Sequence, residues 1–226
     1  MSAVFVSATG TGVGKTFVTA GLIRHCRARG ETVDAFKPVV SGFDPAALAA
    51  SDPGVLLAAL GRPLTLEEAQ RISPWRFAAP LSPDMAAARE GRAIDFGALV
   101  KLCGGVVAGR SDRLFIEGIG GIMVPLDATH TVLDLITALR LPLILVAGSY
   151  VGTLSHTLTA LQVLARRNID LAAVVVSESE DSAAPLDETV ATIARFADSI
   201  DVIAMPRLAE GATHPSFARI AEAIRM

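Results

Sequence analysis

Short runs of apolar, mostly β-branched residues alternate with longer Ala/Leu-rich stretches along this chain, and that alternation restricts its fold more than any other feature. Val4–Ser7, Thr32–Phe36, Leu114–Ile116, Leu143–Ala147, Ala173–Ser177 and Val202–Ala204 read as strands. Their apolar residues are consecutive, the mark of strands covered on both faces. Thr16–Ala28, Pro83–Glu90, Phe96–Ala108, Leu154–Arg167, Pro185–Ala197 and Ser216–Arg225 read as helices between and after them. Parallel neighbours need crossovers long enough to hold a helix, so the order predicts an α/β fold of three layers, a mostly parallel sheet with helices on both faces. In such sheets ligands sit outside the carboxyl ends of the strands. One domain over residues 1–226 is expected at this length. Between Val39 and Pro83, glycines and prolines recur, and short helices and loops over one end of the sheet are expected there.

Composition removes several functional classes. A net charge of −3 and the lack of any Lys/Arg cluster interleaved with aromatics leave no footprint for nucleic acid. The longest apolar run, Leu141 to Gly148, falls far short of the roughly 20 residues that cross a bilayer. Met1–Val6 lacks a basic segment and reads as the start of a strand, so a cytoplasmic protein without membrane contact is expected. Cys26 and Cys103 stand alone, without CxxC spacing, and predict inert thiols. With 51% hydrophobic and 19% charged residues, the chain has apolar surface to spare for a subunit interface, and a homo-oligomer is expected.

The first strand runs into Thr9-Gly10-Thr11-Gly12-Val13-Gly14-Lys15-Thr16 and then into a helix. Glycines let successive backbone N–H groups face one anion, and the helix N-terminus adds positive potential. In that setting Lys15 reaches the β/γ-phosphates of a nucleotide and the Thr16 hydroxyl ligates Mg²⁺. The usual GxxxxGK[ST] pattern has glycine where Thr9 stands, so this is a modified phosphate loop in a P-loop NTPase-like fold. A dinucleotide-binding GxGxxG turn starting at Gly10 would need glycine at Lys15. A second lysine, Lys37, follows the second strand, and Glu117 ends the third, where phosphate-loop proteins place a magnesium carboxylate. Taken singly, a lysine after a strand end is most often a surface charge and Glu117 a loop acid.

Together with Lys37-Pro38-Val39-Val40-Ser41-Gly42, Asp52, Ser82-Pro83, Ile116-Glu117-Gly118-Ile119-Gly120-Gly121 and Val151-Gly152-Thr153-Leu154-Ser155-His156, the phosphate loop resembles the dethiobiotin synthetase family, in order and over roughly the first 160 residues. The resemblance implies that ATP, 7,8-diaminononanoate and CO₂ or bicarbonate are substrates and that Mg²⁺ is the cofactor. By carry-over, Lys15, Lys37 and Thr11 serve the reacting groups. Gly12, Val13, Gly14, Lys15, Thr16, Phe17, Asp52, Glu117 and Gly118 hold the nucleotide, with Thr16, Asp52 and Glu117 at the metal. Thr11, Lys37, Ser41 and Gly118 face the diamine, and Gly152, Thr153, Leu154 and Ser155 clamp its distant carboxylate from the other subunit of a homodimer. Ser177, Glu178 and Pro206-Arg207-Leu208 form the nucleotide-base edge. The sequence departs from the family pattern at Ala8 (for Gly), Asp84 (for His after Ser-Pro), Ser155 (for Asn) and Ser177-Glu178 (for Asn), which puts base selectivity in question. Two alternatives share the expected fold. A MinD/ParA-like regulatory ATPase carries a signature lysine early in the loop, where this chain has Gly10. A cobyrinate-synthetase-like ligase usually carries an added glutaminase domain, for which 226 residues leave no room.

Overall fold

A computed structural model describes residues 3–109, 113–180, 183–209 and 211–224. Met1, Ser2 and Arg225, which the sequence assigns to the first strand region and the last helix, lie outside them. Six strands form one sheet: β1 (Ala3–Ala8), β2 (Val33–Phe36), β5 (Arg113–Glu117), β6 (Leu143–Gly148), β7 (Leu171–Ser177) and β8 (Asp201–Met205). Their order is β2-β5-β1-β6-β7-β8 and every pairing is parallel. The chain leaves β1 towards one side of the sheet and, after β5, crosses to the other side of β1. The carboxyl end of β1 is therefore the switch point, where a crevice opens between diverging connections.

Alternate residues of one strand feed opposite cores. Val4, Val6 and Ala8 of β1 join the layer built from α1 (Lys15–Ala28), α2 (Asp52–Leu60), α3 (Leu66–Ile72) and α9 (Pro215–Ala223). Ala3 and Phe5 join the opposite layer of α4 (Pro83–Arg89), α5 (Phe96–Ala108), α6 (Val132–Leu139), α7 (Thr153–Arg166) and α8 (Leu186–Ala194). Burial on both faces is the physical reason for the consecutive apolar residues in these strands. Helices α1 and α9 pack closely at Gly21 of α1, where an added Cβ would stand 2.1 Å from the Phe217 ring of α9.

Two parts of the fold were not foreseen. Helix α6 carries Val-Leu-Asp-Leu-Ile-Thr-Ala-Leu, eight residues whose apolar run is too short to separate helix from strand by periodicity. Its start is set by Asp134 Oδ2, which accepts from both the backbone N–H and the hydroxyl of Thr131, at 2.8 and 2.9 Å. The other is a small parallel pair, β3 (Val39–Ser41) with β4 (Trp75–Phe77). Each is only three residues long, and their contact spans the Gly/Pro-rich stretch that also contains α2 and α3.

Candidate active site

The phosphate loop is shaped by left-handed backbone at two glycines, Gly12 (φ 74°) and Gly14 (φ 93°). Gly14 is also hemmed in, since a Cβ there would meet Ser177 Oγ at 2.6 Å. Ala8 ends β1 and is absent from the positive-φ residues, so the methyl group that replaces the family's glycine carries no backbone strain. Helix α1 begins at Lys15 with no side-chain cap and no acid in its first turn. Its N-terminal N–H groups and positive dipole end thus stay available to an anion.

Lys37 is not the surface charge expected of a lysine beyond a strand end; its side chain is 1% exposed. Its ammonium donates to Glu117 Oε1 at 2.8 Å and to the Gly118 carbonyl at 3.0 Å, and it pairs with Asp52 Oδ2 at 2.9 Å. An ammonium has three protons, and here each has an acceptor. Burial alone would lower the pKa of Lys37, but Glu117 and Asp52 outweigh it and hold the lysine above its usual value. Glu117 Oε1 also accepts from the Thr16 hydroxyl at 2.8 Å, while Glu117 Oε2 is buried with no partner among the described residues. Asp52 opens α2, positioned by Ser51, whose hydroxyl accepts from Gly54 N at 3.2 Å. Burial raises the Asp52 pKa, yet Lys37, Thr16 and Lys15 together hold it below the ordinary carboxylate value.

Lys15 is buried as well, but among the described residues its side chain has no such partner. Desolvation, reinforced by the positive charge of Lys37, lowers its pKa from 10.5 to about 8 against the opposing pull of Glu117 and Asp52. Two cations therefore flank one pair of carboxylates: Lys37 takes the paired position and Lys15 remains the unsatisfied charge. Among the described residues no three His, Cys, Asp or Glu side chains form a metal cluster. A cation held by Thr16, Asp52 and Glu117 would need further ligands from water or phosphate, the habit of Mg²⁺.

A cavity of about 670 Å³ lies over these groups, at the carboxyl ends of the strands. The structure brings Thr11, Gly12, Gly14, Lys15, Thr16, Phe17, Lys37, Ser41 and Asp52 to its wall. Glu117 and Gly118 stand behind Lys37, as its acceptors. A second cavity, of about 360 Å³, shares Gly12, Gly14 and Phe17 with the first and adds Val13, Ser177, Glu178, Pro206, Arg207 and Leu208. Gly152, Thr153, Leu154 and Ser155 line neither cavity. They start α7 after β6; the Thr153 hydroxyl donates to the Gly148 carbonyl at 2.6 Å, and Leu154 and Ser155 are exposed.

Sequence reasoning missed the apolar part of the wall, notably Val40, Leu81, Ile119 and Val124. Ordinary aliphatic residues carry no chemical signature. It also missed Glu180, whose carboxylate pairs with Arg207 at 3.0 Å across the second cavity.

The family model described as an AAA domain matches residues 2–210. The chain is 50% identical over 196 residues to the ATP-dependent dethiobiotin synthetase BioD of Acidiphilium cryptum, covering 86% of this chain and 88% of that protein. It is 49% identical over 209 residues to the protein of the same name from Phenylobacterium zucineum, covering 92% and 89%. Among solved structures, the cell division ATPase MinD of Pyrococcus furiosus superposes with a TM-score of 0.56 at 16% identity, over 100% of this chain and 99% of that one, a likeness of fold alone. With about half of its residues shared across nearly the whole length of two such relatives, the chain belongs to the ATP-dependent dethiobiotin synthetase family.

Proposed function

We propose that this chain, as one domain, closes 7,8-diaminononanoate and CO₂ into dethiobiotin at the expense of ATP. One amine of the substrate adds to CO₂ and loses a proton, giving a carbamate. A carbamate oxygen then attacks the γ-phosphorus, and ADP leaves. The second amine attacks the carbonyl carbon of the mixed anhydride and phosphate departs, leaving the cyclic urea.

The observation that carries this reading is the placement of two lysines on one cavity wall, one from the phosphate loop after β1 and one from beyond β2, two strands away in the sheet. Lys15 lies at the N-terminus of α1, where a triphosphate is held, and its poorly compensated charge gains most when a phosphate arrives. Lys37 is anchored by the buried Glu117 and the Gly118 carbonyl, so exchanging its bond to the half-exposed Asp52 is all that its ammonium needs to turn a proton to charge on the transferring group. Thr11 and Ser41 offer hydroxyls on the same wall to the reacting end of the diamine. Thr16, Asp52 and the unpartnered Glu117 Oε2 suit a hard cation, and Mg²⁺ bound there would neutralise phosphate charge. No described helix is long and apolar enough to cross a membrane, and a cytoplasmic site of action belongs to the same proposal. ATP hydrolysis should be stimulated by diaminononanoate with bicarbonate and should yield dethiobiotin. Stimulation by lipid vesicles or DNA instead would favour a switch ATPase.

The carboxylate clamp is proposed to act across a homodimer. Gly152–Ser155 stand apart from both cavities of their own chain, beside Val151, which is 81% exposed. The start of α7 would then meet the partner's substrate, its N–H groups facing the far carboxylate. Mixing inactive Lys15→Met and Ser155→Glu variants should recover about a quarter of the wild-type rate, because half of the dimers are mixed and each of those has one intact site. No recovery beyond the separate variants would mean self-contained subunits.

A further inference from the structure

Another cavity, of about 320 Å³, opens at the opposite edge of the sheet, before the amino ends of β6 and β7, between the last turn of α6 and the turn after α7. It shares no residue with the two cavities over the phosphate loop. Its size falls at the lower end of small-molecule pockets. Ile136 is buried and Leu141 and Ile169 are half-buried, so its apolar residues lie deeper than the exposed Arg140, Arg167 and Asn168. Asp170 also lines it, which leaves one positive charge in excess. The two arginines are poorly matched with acids. Arg167 reaches Asp134 Oδ1 only at 3.5 Å, and among the described residues the Arg140 guanidinium has no hydrogen-bond or ion-pair partner. Arg140 also ends α6 in left-handed backbone (φ 51°), a place usually taken by glycine or asparagine. A basic residue needed only to neutralise the carbonyl end of the helix could do so from the relaxed last turn, without that backbone strain.

We propose that this cavity binds a small aliphatic carboxylate, its chain against Ile136, Leu141 and Ile169 and its charge between Arg140 and Arg167. The two oxygens of a carboxylate match the paired donors of a guanidinium. Dethiobiotin, the product of the proposed reaction, is such a molecule, and choosing it as the occupant rests on that reading. The cavity lies at the carboxyl end of α7, roughly 21 Å along that 14-residue helix from Thr153. Product held there touches the same rigid element whose start is proposed to clamp the substrate.

An amide-resolved NMR titration of the full chain with dethiobiotin reads the two ends of α7 separately. The N–H signals of Arg140, Asn168 and Ile169 should shift along a saturating curve, and Arg140→Gly should weaken that curve about tenfold, the scale of one charge-assisted hydrogen bond. Signals of Gly152–Ser155 should titrate alike in both proteins. Glycine suits the left-handed position, so the variant should melt close to the wild type, which keeps the comparison free of misfolding. Dethiobiotin methyl ester has the chain without the charge, and inorganic phosphate the charge without the chain; each should bind beside Arg140 about tenfold more weakly than dethiobiotin. Equal binding of either, an unaltered curve in Arg140→Gly, or no shift at Arg140 and Asn168 would overturn the site. Shifts confined to Gly152–Ser155 would do so while leaving the proposed function standing, and no shift at either end of α7 would count against both.

Discussion

Replacing Lys37 with alanine is expected to lower turnover by about a thousandfold, on the scale of removing a fixed donor from developing transition-state charge, and to destabilise the fold by about 3 kcal/mol. The second effect follows from burial. Glu117 is fully covered, accepts from Lys37 at 2.8 Å and already has one oxygen without a partner. Without the ammonium its charge is left in a medium that solvates it poorly, whereas Asp52, 44% exposed at its side chain, can turn to water. Adding Glu117→Gln to Lys37→Ala should therefore restore much of the stability and none of the turnover. Urea melts of the single and double variants, beside rates of dethiobiotin formation, measure the two parts separately. Full stability in Lys37→Ala would show that the Lys37–Glu117 pair matters less to the fold than its burial implies.

Lys15 predicts the opposite coupling of stability and function. Its pKa is lowered from 10.5 to about 8, so at neutral pH the folded chain carries a charge that its surroundings disfavour. At roughly 1.4 kcal/mol per pH unit, that disfavour amounts to about 3 kcal/mol. Lys15→Met should accordingly stabilise the ligand-free protein by roughly 1–3 kcal/mol while weakening nucleotide binding about 10- to 100-fold. The pH dependence has a definite sign. Between pH 8 and 10.5 the unfolded chain keeps this proton and the folded chain has lost it, so this lysine makes the wild type gain stability as pH rises through that window. Below pH 8 both states are protonated and its contribution is level. Urea midpoints from pH 7 to 10 should rise in the wild type relative to Lys15→Met. Nucleotide binding should take up a proton above pH 8, because phosphate restores the charged form. A Lys15→Met variant less stable than the wild type at pH 7 would contradict this account.

The legible parts of the site were those written in consecutive residues. The phosphate loop declares itself because glycine spacing, a lysine and a hydroxyl serve one anion within eight positions, between a strand and a helix. Lys37 was legible as a position but not as an environment: its three acceptors come from α2 and from the end of β5, separated in sequence by up to 81 residues. Ser177, Glu178 and Pro206–Leu208 entered through resemblance, and their meeting in one cavity depends on β7 and β8 being neighbours. The β3–β4 pair escaped because two three-residue strands have too little pattern of their own, though Ser41 reaches the cavity wall from one of them.

By itself the sequence determined the layered α/β architecture, through apolar runs that only a doubly covered sheet can bury, and the anion-binding turn after β1. Those are local properties, set by backbone geometry and side-chain periodicity. Tertiary structure alone decided which lysine is neutralised and which is left poised for phosphate, where α6 lies, and that the start of α7 stands clear of its own cavity. Each of these depends on burial and on charges brought together from distant segments, and Coulomb and desolvation energies are set by distance in space, not by separation along the chain.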